Sequence, residues 1–287
     1  MATIIDGKLT SAKIREEIKA EASLLTAKGT QPGLAVIIVG EDPASQIYVR
    51  NKEKACDEVG FYSEKYALPA ETTEAELTAL IEKLNADKNI HGILVQSPLP
   101  KHLDEKRIVA QILPSKDVDA FSEENVGKIT LGTPRFLPCT PAGIMELLKR
   151  YNIETKGKHA VVVGRSNIVG KPMGLLLLGA DCTVTACHSR TVDLAKYTRE
   201  ADILVAAVGK SKLIKGDMVK EGAVIIDVGM NRDENGKLTG DVDFAQCEPL
   251  ASAITPVPGG VGPMTITMLL KNTLTSATEA ANKKFFV

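Results

Sequence analysis

The chain has 287 residues, of which 44% are hydrophobic and 25% are charged, and its formal net charge is -1. This length predicts about two domains, and the hydrophobic content is ample for folded cores. A nearly neutral chain offers no basic surface to nucleic acid and no charged block to anionic lipid. We therefore expect a small molecule as the partner, with no nucleic acid and no membrane.

The amino-terminal residues and the cysteines indicate a cytoplasmic protein. Residues 1–7 carry a charge and no long apolar stretch, unlike an export signal, and no run in the chain approaches the length of a membrane span. The cysteines are odd in number and lack C-x-x-C spacing, so we expect reduced thiols, with a metal site as the alternative. They are Cys56, Cys139, Cys182, Cys187 and Cys247.

Helices and strands alternate along the chain, which predicts an α/β fold with parallel sheets. A serine available as N-cap, Ser11, opens the first helix. The first half contains predicted helices over residues 11–28, 45–56, 73–86 and 104–112, and predicted strands over 34–40, 62–68 and 90–96. A proline- and glycine-rich stretch up to residue 141 marks the passage to a second domain. That domain contains predicted helices over 142–151, from Met173 and after Thr265, and predicted strands over 160–163, 183–187, 203–209 and 223–229.

The junction after the strand at 160–163 has the features of a nucleotide-binding loop. Three consecutive valines suit a strand buried on both faces, Gly164 ends it, and an apolar helix follows. Such a junction delivers a phosphate to a helix N-terminus. Gly164 and Gly170 are separated by five residues, so the G-x-G-x-x-G pattern is absent, and a tight strand-to-helix turn is the alternative.

The end of the next strand favours NADP over NAD. An NAD site places an acidic residue about 20 residues past the loop to bind the ribose 2'-hydroxyl, and no acid stands there. Arg165, Ser166, Ser189 and Arg190 are instead available for a 2'-phosphate. The alternative is that both arginines are solvated loop cations.

One predicted helix of the first domain has a chemically mixed face. Ser45, Tyr48 and Lys52 are three and four residues apart, so a helix places them on one face. The alternative is a half-buried core tyrosine and a lysine that reaches along the surface into solvent. Gln96 ends a strand that Pro98 cannot continue, and such carboxyl ends collect ligand-binding groups in open α/β sheets.

A rigid segment lies near the end of the chain. Residues 255–265 contain three prolines and three glycines. Beside a ligand, a backbone of this composition exposes amide and carbonyl groups at fixed positions, and an ordered connector is the alternative.

These stretches together resemble the bifunctional methylenetetrahydrofolate dehydrogenase/cyclohydrolase family along nearly the whole chain. Each motif alone is weak, but their shared order and spacing are specific. The matching runs of the first domain are Tyr48-Val49 with Lys52 and Lys54, Val95-Gln96 with Pro98-Leu99-Pro100, Lys116-Asp117-Val118-Asp119, and Pro138-Cys139-Thr140-Pro141. Those of the second are Gly164-Arg165-Ser166 with Val169-Gly170 and Pro172, Cys187-His188-Ser189, Asp227-Val228-Gly229, Gly240-Asp241-Val242-Asp243, and Thr255 through Thr265.

The resemblance implies two βα domains with a cleft between them. A folate-binding catalytic domain is expected over residues 1–140, a Rossmann-like NADP-binding domain over 141–268, and a C-terminal helix over 269–287 that packs back on the first domain. The implied reactions are oxidation of 5,10-methylenetetrahydrofolate by NADP and hydrolysis of the methenyl product to 10-formyltetrahydrofolate. No metal is required, and a homodimer joined mainly through the NADP domains is expected.

The resemblance also implies roles for individual residues. Tyr48 would stack on the folate rings, Asp119 would hold the pterin, and Lys52, tuned by Gln96, would serve the cyclohydrolase step. Physical chemistry agrees, because an aromatic face holds a flat heterocycle and a lysine beside a cationic substrate suits general-base work. The expected catalytic residues are Lys52, Tyr48, Gln96 and Asp119, which with Pro258 and Gly259 are also expected to bind folate. The residues expected to bind NADP are Thr140, Gly164, Arg165, Ser166, Ser189 and Met230.

Two positions depart from the family's common pattern. Ala120 stands where glycine usually follows Asp119, and alanine resists a positive φ. Ser97 stands where an apolar residue usually separates the glutamine from the proline. Neither change removes a functional side chain, so both bear on the shape of the folate pocket.

Two other functions stay open. In the first, the chain is a dehydrogenase of similar plan that lacks the cyclohydrolase step or acts on another metabolite. In the second, it is a silent nucleotide-binding regulator. Loss of Lys52 or Gln96 would favour the first, and decay of the first-domain motifs would favour the second. The chain retains all of them.

Overall fold

The computed structural model describes residues 2–284, apart from the side chains of residues 44, 283 and 284. This part of the chain divides into two compact units. Residues 2–12 and 138–265 form one, which we call the six-stranded unit, and residues 13–137 and 266–284 form the other, the three-stranded unit. Within residues 2–284, no helix combines the length and the apolar composition that crossing a membrane requires.

The helices and strands follow in chain order. Those up to residue 130 are β1 (Thr3–Ile4), α1 (Gly7–Ala27), β2 (Gly33–Val39), α2 (Pro43–Val59), β3 (Tyr62–Leu68), α3 (Glu74–Ala86), β4 (Gly92–Val95), α4 (Glu105–Val109) and α5 (Glu123–Thr130). The others are α6 (Cys139–Arg150), β5 (His159–Val163), α7 (Gly170–Gly179), β6 (Thr183–Cys187), α8 (Leu194–Thr198), β7 (Ile203–Ala206), β8 (Val224–Asp227), β9 (Asn231–Arg232), β10 (Leu238–Thr239), α9 (Phe244–Cys247), β11 (Ala253–Ile254) and α10 (Val261–Lys284).

The three-stranded unit contains a parallel sheet in the order β3-β2-β4. Every residue of the central strand β2 is buried, which explains its uninterrupted aliphatic run. Leu77, Ile81 and Leu84 of α3 pack in one core with side chains of β2 and β4. The backbone at Asp117 forms a parallel bridge with Ile93 of β4, so the chain at 117–119 runs along the open edge of this sheet.

The six-stranded unit contains a sheet in the order β1-β11-β8-β7-β5-β6, and every neighbouring pair is parallel. Counted from β5, the order β6-β5-β7-β8-β11 is the 2-1-3-4-5 order of doubly wound sheets. The chain leaves β5 towards β6 on one side and reaches β7 on the other, so a topological switch point lies between β5 and β7. The predicted α/β class with a parallel sheet in the second domain is confirmed.

The first residues of the chain differ from the expectation that they belong to the amino-terminal domain. Thr3 and Ile4 pair with Ala253 and Ile254, so residues 2–12 lie in the six-stranded unit. The physical reason is that a two-residue strand has no periodicity of its own and depends on a distant partner for its hydrogen bonds.

Some predicted boundaries were wrong. Helix α1 begins at Gly7, and the side chain that caps it is Asp6, whose Oδ1 accepts from the Leu9 amide at 2.8 Å. Ser11, predicted as the cap, lies inside the helix and donates to the Lys8 carbonyl oxygen.

Two further differences concern segments for which no helix was predicted. Helix α5 lies in the proline- and glycine-rich stretch before residue 141, where the Ser122 hydroxyl accepts from the Asn125 amide as its N-cap. The last helix begins at Val261, inside the segment rich in proline and glycine. The strands at 62–68 and 183–187 lie as predicted.

Candidate active site

Helix α2 presents the mixed face that the spacing predicts. Asp42 caps the helix by accepting from the Ser45 amide at 2.7 Å, and Pro43 occupies the first turn, where its missing N–H costs nothing. Tyr48 is 40% exposed and Lys52 is half-buried one turn later. The ring of Tyr48 is therefore accessible to a ligand rather than enclosed in the core.

Lys52 is oriented by Gln96, which directly follows β4. The Nζ atom of Lys52 donates to Oε1 of Gln96 at 2.9 Å. The Nε2 atom of Gln96 donates to the Ser97 carbonyl oxygen at 2.7 Å, and the buried Ser45 hydroxyl donates to the same oxygen at 3.3 Å. Since its nitrogen is engaged on one side, the amide of Gln96 directs its oxygen at the amine.

Asp119 lies in a loop that a buried neighbour organises. The side chain of Asp117 is 1% exposed and accepts from the amides of Phe121 and Ser122 at 3.2 and 2.8 Å. The Nδ2 atom of Asn125 donates to the same carboxylate at 2.9 Å. Asp119 is half-buried beside this turn, at the edge of the sheet where Gln96 also lies.

The residue after Asp119 adopts the backbone conformation that alanine resists. Ala120 is buried and has a φ of 59°, in the left-handed region. The loop is also held from α10, because Nδ2 of Asn272 donates to the carbonyl oxygens of Val118 and Leu137 at 2.8 and 2.9 Å. The surrounding contacts therefore maintain a strained residue next to a predicted substrate ligand.

The departure at Ser97 adds a polar contact. The Ser97 hydroxyl donates to Oε1 of Glu105, the first residue of α4, at 2.6 Å. An apolar side chain at this position would leave that carboxylate to solvent. The serine therefore connects the segment after β4 to the next helix.

The two glycines of the nucleotide loop are required by close packing. Gly164 has a φ of 133°, and a Cβ there would overlap the Ala207 carbonyl oxygen. A Cβ on Gly170 would overlap the carbonyl oxygen of Gly164. The loop between β5 and α7 is thus folded tightly on itself and against the end of β7, which gives a phosphate close access to backbone.

The residues predicted to bind a 2'-phosphate also follow the carboxyl ends of strands in this sheet, β5 and β6. Val163 pairs with Cys187, so Arg165 and Ser189 are each two residues beyond one rung of the ladder. Arg165, Ser189 and Arg190 are exposed. Ser166 is also exposed, and its hydroxyl oxygen accepts from the amides at 169 and 170 at 3.2 and 3.3 Å.

The other predicted ligands of folate and NADP also lie in the six-stranded unit. Pro258 is exposed, and Gly259, with a φ of 102°, accepts at its carbonyl oxygen from the Lys8 amide. Thr140 lies in the first turn of α6, and Met230 is 52% exposed after β8. The structure thus groups Tyr48, Lys52, Gln96 and Asp119 in one unit and the remaining predicted site residues in the other.

Three aspartates in the matching motifs have structural contacts that the motifs alone did not reveal: Asp117, Asp227 and Asp241. All three are at most 4% exposed. Each accepts backbone N–H groups of a neighbouring loop. For Asp227 the available signal was an acidic residue at the end of a buried aliphatic run, where a solvated carboxylate is not expected. Asp117 and Asp241 follow no such run.

The thiols and the acids form no metal centre in the described residues. All five cysteines are buried and none forms a disulfide. Residues 2–284 contain no group of three or more histidine, cysteine or acidic side chains that suits a metal ion. Burial raises the pKa of Cys56 to about 12, so this thiol stays protonated.

Two family models match the chain. Residues 5–119 match the catalytic domain of tetrahydrofolate dehydrogenase/cyclohydrolase, and residues 138–281 match the NAD(P)-binding domain of the same family. A bifunctional protein FolD from Moorella thermoacetica is 61% identical over 276 residues, which are 96% of this chain and 99% of that protein.

Solved structures agree with the family models. The bifunctional FolD methylenetetrahydrofolate dehydrogenase/cyclohydrolase of Campylobacter jejuni is 54% identical with a TM-score of 0.96, over 97% of this chain and 99% of that one. The Trypanosoma brucei methylenetetrahydrofolate dehydrogenase-cyclohydrolase, solved with NADP and an inhibitor, is 42% identical with a TM-score of 0.93, over 97% and 98% of the two chains. The chain therefore belongs to the bifunctional tetrahydrofolate dehydrogenase/cyclohydrolase family, and its carboxyl-terminal half contains the nicotinamide-cofactor domain that the sequence predicts.

Proposed function

We propose that this chain oxidises 5,10-methylenetetrahydrofolate with NADP and then hydrolyses the 5,10-methenyl product to 10-formyltetrahydrofolate. The observation that carries the proposal is the contact between Lys52 and Gln96 beside the exposed ring of Tyr48. A stacking surface and an oriented amine on one helix face are what the second reaction needs in addition to hydride transfer.

The three-stranded unit supplies the main folate contacts in this proposal. Tyr48 stacks on the pterin, and Asp119 accepts hydrogen bonds from its N–H groups. The loop of Asp119 is already ordered by Asp117 and Asn272, so little conformational entropy is lost when the pterin binds. Pro258 and Gly259 also bind the substrate in this proposal, as the family resemblance implies.

The six-stranded unit binds NADP in this proposal. The absence of side chains at Gly164 and Gly170 lets this loop fold tightly, and the start of α7 then binds the pyrophosphate. Arg165, Ser189 and Arg190, with the Ser166 hydroxyl, surround the 2'-phosphate, and Thr140 and Met230 add further contacts. NADP supplies the hydride acceptor, and the chain's part in this step is to hold the methylene carbon against the nicotinamide ring.

Lys52 serves the hydrolytic step as a proton shuttle. Water adds to the methenyl carbon and loses a proton to the Nζ atom of Lys52. The ammonium group then returns that proton to N5 as the bond between N5 and the carbon breaks. The second proton of the added water leaves its oxygen for solvent, so a formyl C=O remains on N10 and the hydrolysis releases one proton overall. Gln96 keeps the amine directed at the reacting carbon through its Oε1 atom.

A homodimer in the cytoplasm completes the proposal. Dimerisation through the NADP-binding units follows from the family resemblance. Five buried cysteines without a disulfide support a reducing compartment.

One assay tests the proposed reactions. The protein is incubated with methylenetetrahydrofolate and NADP while NADPH and the methenyl chromophore are followed together. The proposal expects NADPH to form with little accumulation of the methenyl product. Accumulation of the methenyl product would support a dehydrogenase without the hydrolytic step, and NADP binding without either reaction would support a silent regulator.

A further inference from the structure

Asp241 is a buried carboxylate that holds two loops of the six-stranded unit. Asp241 is 0% exposed. Oδ2 accepts from the amides of Val208 and Gly209 at 2.6 and 3.0 Å, and Oδ1 accepts from the Lys210 amide at 2.8 Å. Oδ1 also accepts from Nδ2 of Asn231 at 2.9 Å. One side chain thus joins the segment after β7 to the segment after β8.

A second buried carboxylate holds Asp241 in place. Asp227, the last residue of β8, accepts at Oδ1 from the amides of Gly229 and Asp241 at 2.9 and 2.8 Å. Its Oδ2 accepts from the Val242 amide at 3.0 Å, and its own amide donates to the Thr255 hydroxyl at 2.7 Å. Without side chains at Gly229 and at position 240, the two segments approach closely enough for these bonds.

The loops held by Asp241 lie on one side of the topological switch point. The strand order is β6-β5-β7-β8, and the residues proposed for the 2'-phosphate follow β5 and β6. The adenosine half of NADP therefore lies on the β6 side and the pyrophosphate at the loop of Gly164. A dinucleotide crosses such a sheet at the switch point, so its nicotinamide half lies over the ends of β7 and β8. These are the ends from which the two loops extend.

We propose that Asp241, supported by Asp227, is a positioning residue that shapes the nicotinamide half of the cofactor site. It acts by fixing the backbone of residues 208–210 and the segment that carries Met230 and Asn231, without touching the cofactor. The inference rests on the proposed binding of NADP. It assigns Asp241 and Asp227 a role in holding loops, although their place in the matching motifs would suggest that they bind the substrate or cofactor.

The test compares Asp241→Asn with Asp243→Asn. The first keeps the side chain's shape but turns one acceptor oxygen into an NH2 group, which then faces backbone N–H donors. Asp243 is half-buried two residues later, where its carboxylate accepts from Gln246, so it is a control of the same type in the same segment. Titration calorimetry measures the binding of NADP and of adenosine 2',5'-bisphosphate, which carries the adenosine half alone.

Asp241→Asn should weaken NADP binding by about tenfold or more and change adenosine 2',5'-bisphosphate binding by less than about twofold. The KM for NADP in the dehydrogenase assay should rise with the dissociation constant, and Asp243→Asn should leave both ligands as in wild type. Equal loss of both ligands, or NADP binding as in wild type, would overturn the assignment.

Asn231→Ala keeps the test decisive if Asp241→Asn does not fold. It removes one donor to Asp241 and leaves the carboxylate in place, so a smaller loss confined to NADP is expected. No change in NADP binding would overturn the assignment. A wild-type protein that binds neither ligand would instead contradict the proposed function, which separates the two failures.

Discussion

The amine of Lys52 and the side-chain oxygen of Gln96 lie 2.9 Å apart, and the other end of the same amide is bound to the Ser97 carbonyl oxygen. Rotating the amide of Gln96 by half a turn would therefore lose two hydrogen bonds at once. The amine thus has a defined position before any folate arrives, and Lys52 is the residue whose replacement best separates the two proposed reactions.

Lys52→Met should lower cyclohydrolase activity by about a hundredfold to ten-thousandfold, the usual contribution of general acid-base catalysis. Dehydrogenase activity should fall less, because hydride transfer depends mainly on how the substrate and cofactor are placed. The measurement is the steady-state rate of each step, with methenyltetrahydrofolate accumulating as the signature.

The control is Arg50→Met on the same helix. Arg50 is exposed, and two residues along a helix place it on nearly the opposite face from Lys52. Both rates should stay as in wild type. Full cyclohydrolase activity in folded Lys52→Met would remove the proton shuttle and make Asp119 or a bound water the next candidate.

Arg165→Ala should weaken NADP binding by roughly tenfold or more, since a charge-assisted hydrogen bond to a phosphate contributes about 1.5 to 3 kcal/mol. Binding of NAD, which lacks the 2'-phosphate, should change little. Fluorescence titration with both cofactors measures the ratio. Arg232→Ala is the control, because that arginine is exposed and donates to the Gly236 carbonyl oxygen in the β9–β10 hairpin. Equal losses for NAD and NADP would contradict the assignment of Arg165.

Two replacements of Ala120 should have different effects on stability. Glycine relieves a left-handed conformation that costs alanine about 1 to 2 kcal/mol. It also adds about 0.5 to 1 kcal/mol of unfolded-state entropy and removes a buried methyl group worth about 0.8 kcal/mol. The free energy of unfolding of Ala120→Gly should therefore stay within about 1 kcal/mol of wild type in urea denaturation.

Ala120→Val should be destabilising by about 2 to 5 kcal/mol, because a β-branched side chain is strained at a φ of 59° and the site is fully buried. Folate binding should weaken with it, since Asp119 is the preceding residue. A valine variant as stable as wild type would show that the loop does not require the left-handed conformation.

The titration of Asp227 should make the free energy of unfolding depend on pH. Burial raises the pKa of this carboxyl group from its ordinary value of 3.8 to about 6, against the three backbone N–H groups that favour the charged form. The folded protein then binds the proton more tightly than the unfolded chain. The group's contribution to the free energy of unfolding is present below about pH 4, is lost as the pH rises to about 6, and amounts to about 2 to 3 kcal/mol.

Denaturation of wild type and Asp227→Asn at pH values from 4 to 7 measures this contribution as the change in their stability difference. The variant cannot titrate at this position, so the advantage of wild type should shrink as the pH rises. An advantage that grows over that range would mean that the backbone N–H groups outweigh burial.

Light scattering at micromolar protein should give twice the chain mass of 30.7 kDa. A monomer mass under those conditions would exclude the proposed homodimer. NADP binding measured under those conditions would then describe one chain rather than a dimer.

Local sequence patterns predicted most helices and strands. They did not predict the contacts between distant segments, which depend on long-range packing. Buried aliphatic runs such as β2 carry their own signal, and helical spacing places Tyr48 and Lys52 on one face. Lys52 lies on α2 and Gln96 directly follows β4, 44 residues later in the chain, so their contact forms only in the folded unit. Asp241 was not recognisable as a loop organiser, because its four donors come from two distant segments that meet only in the folded sheet.

The pairing of β1 with β11 has a consequence for synthesis. Thr3 and its partner Ala253 are 250 positions apart, so at a typical translation rate the first strand waits on the order of 10 to 50 s for its neighbour to be made. The three-stranded unit likewise includes residues from 266 onward, so neither unit is complete while its earlier part is already outside the ribosome. During that interval the nascent chain carries an unpaired sheet edge, and a chaperone that shields such edges should raise the yield of folded protein.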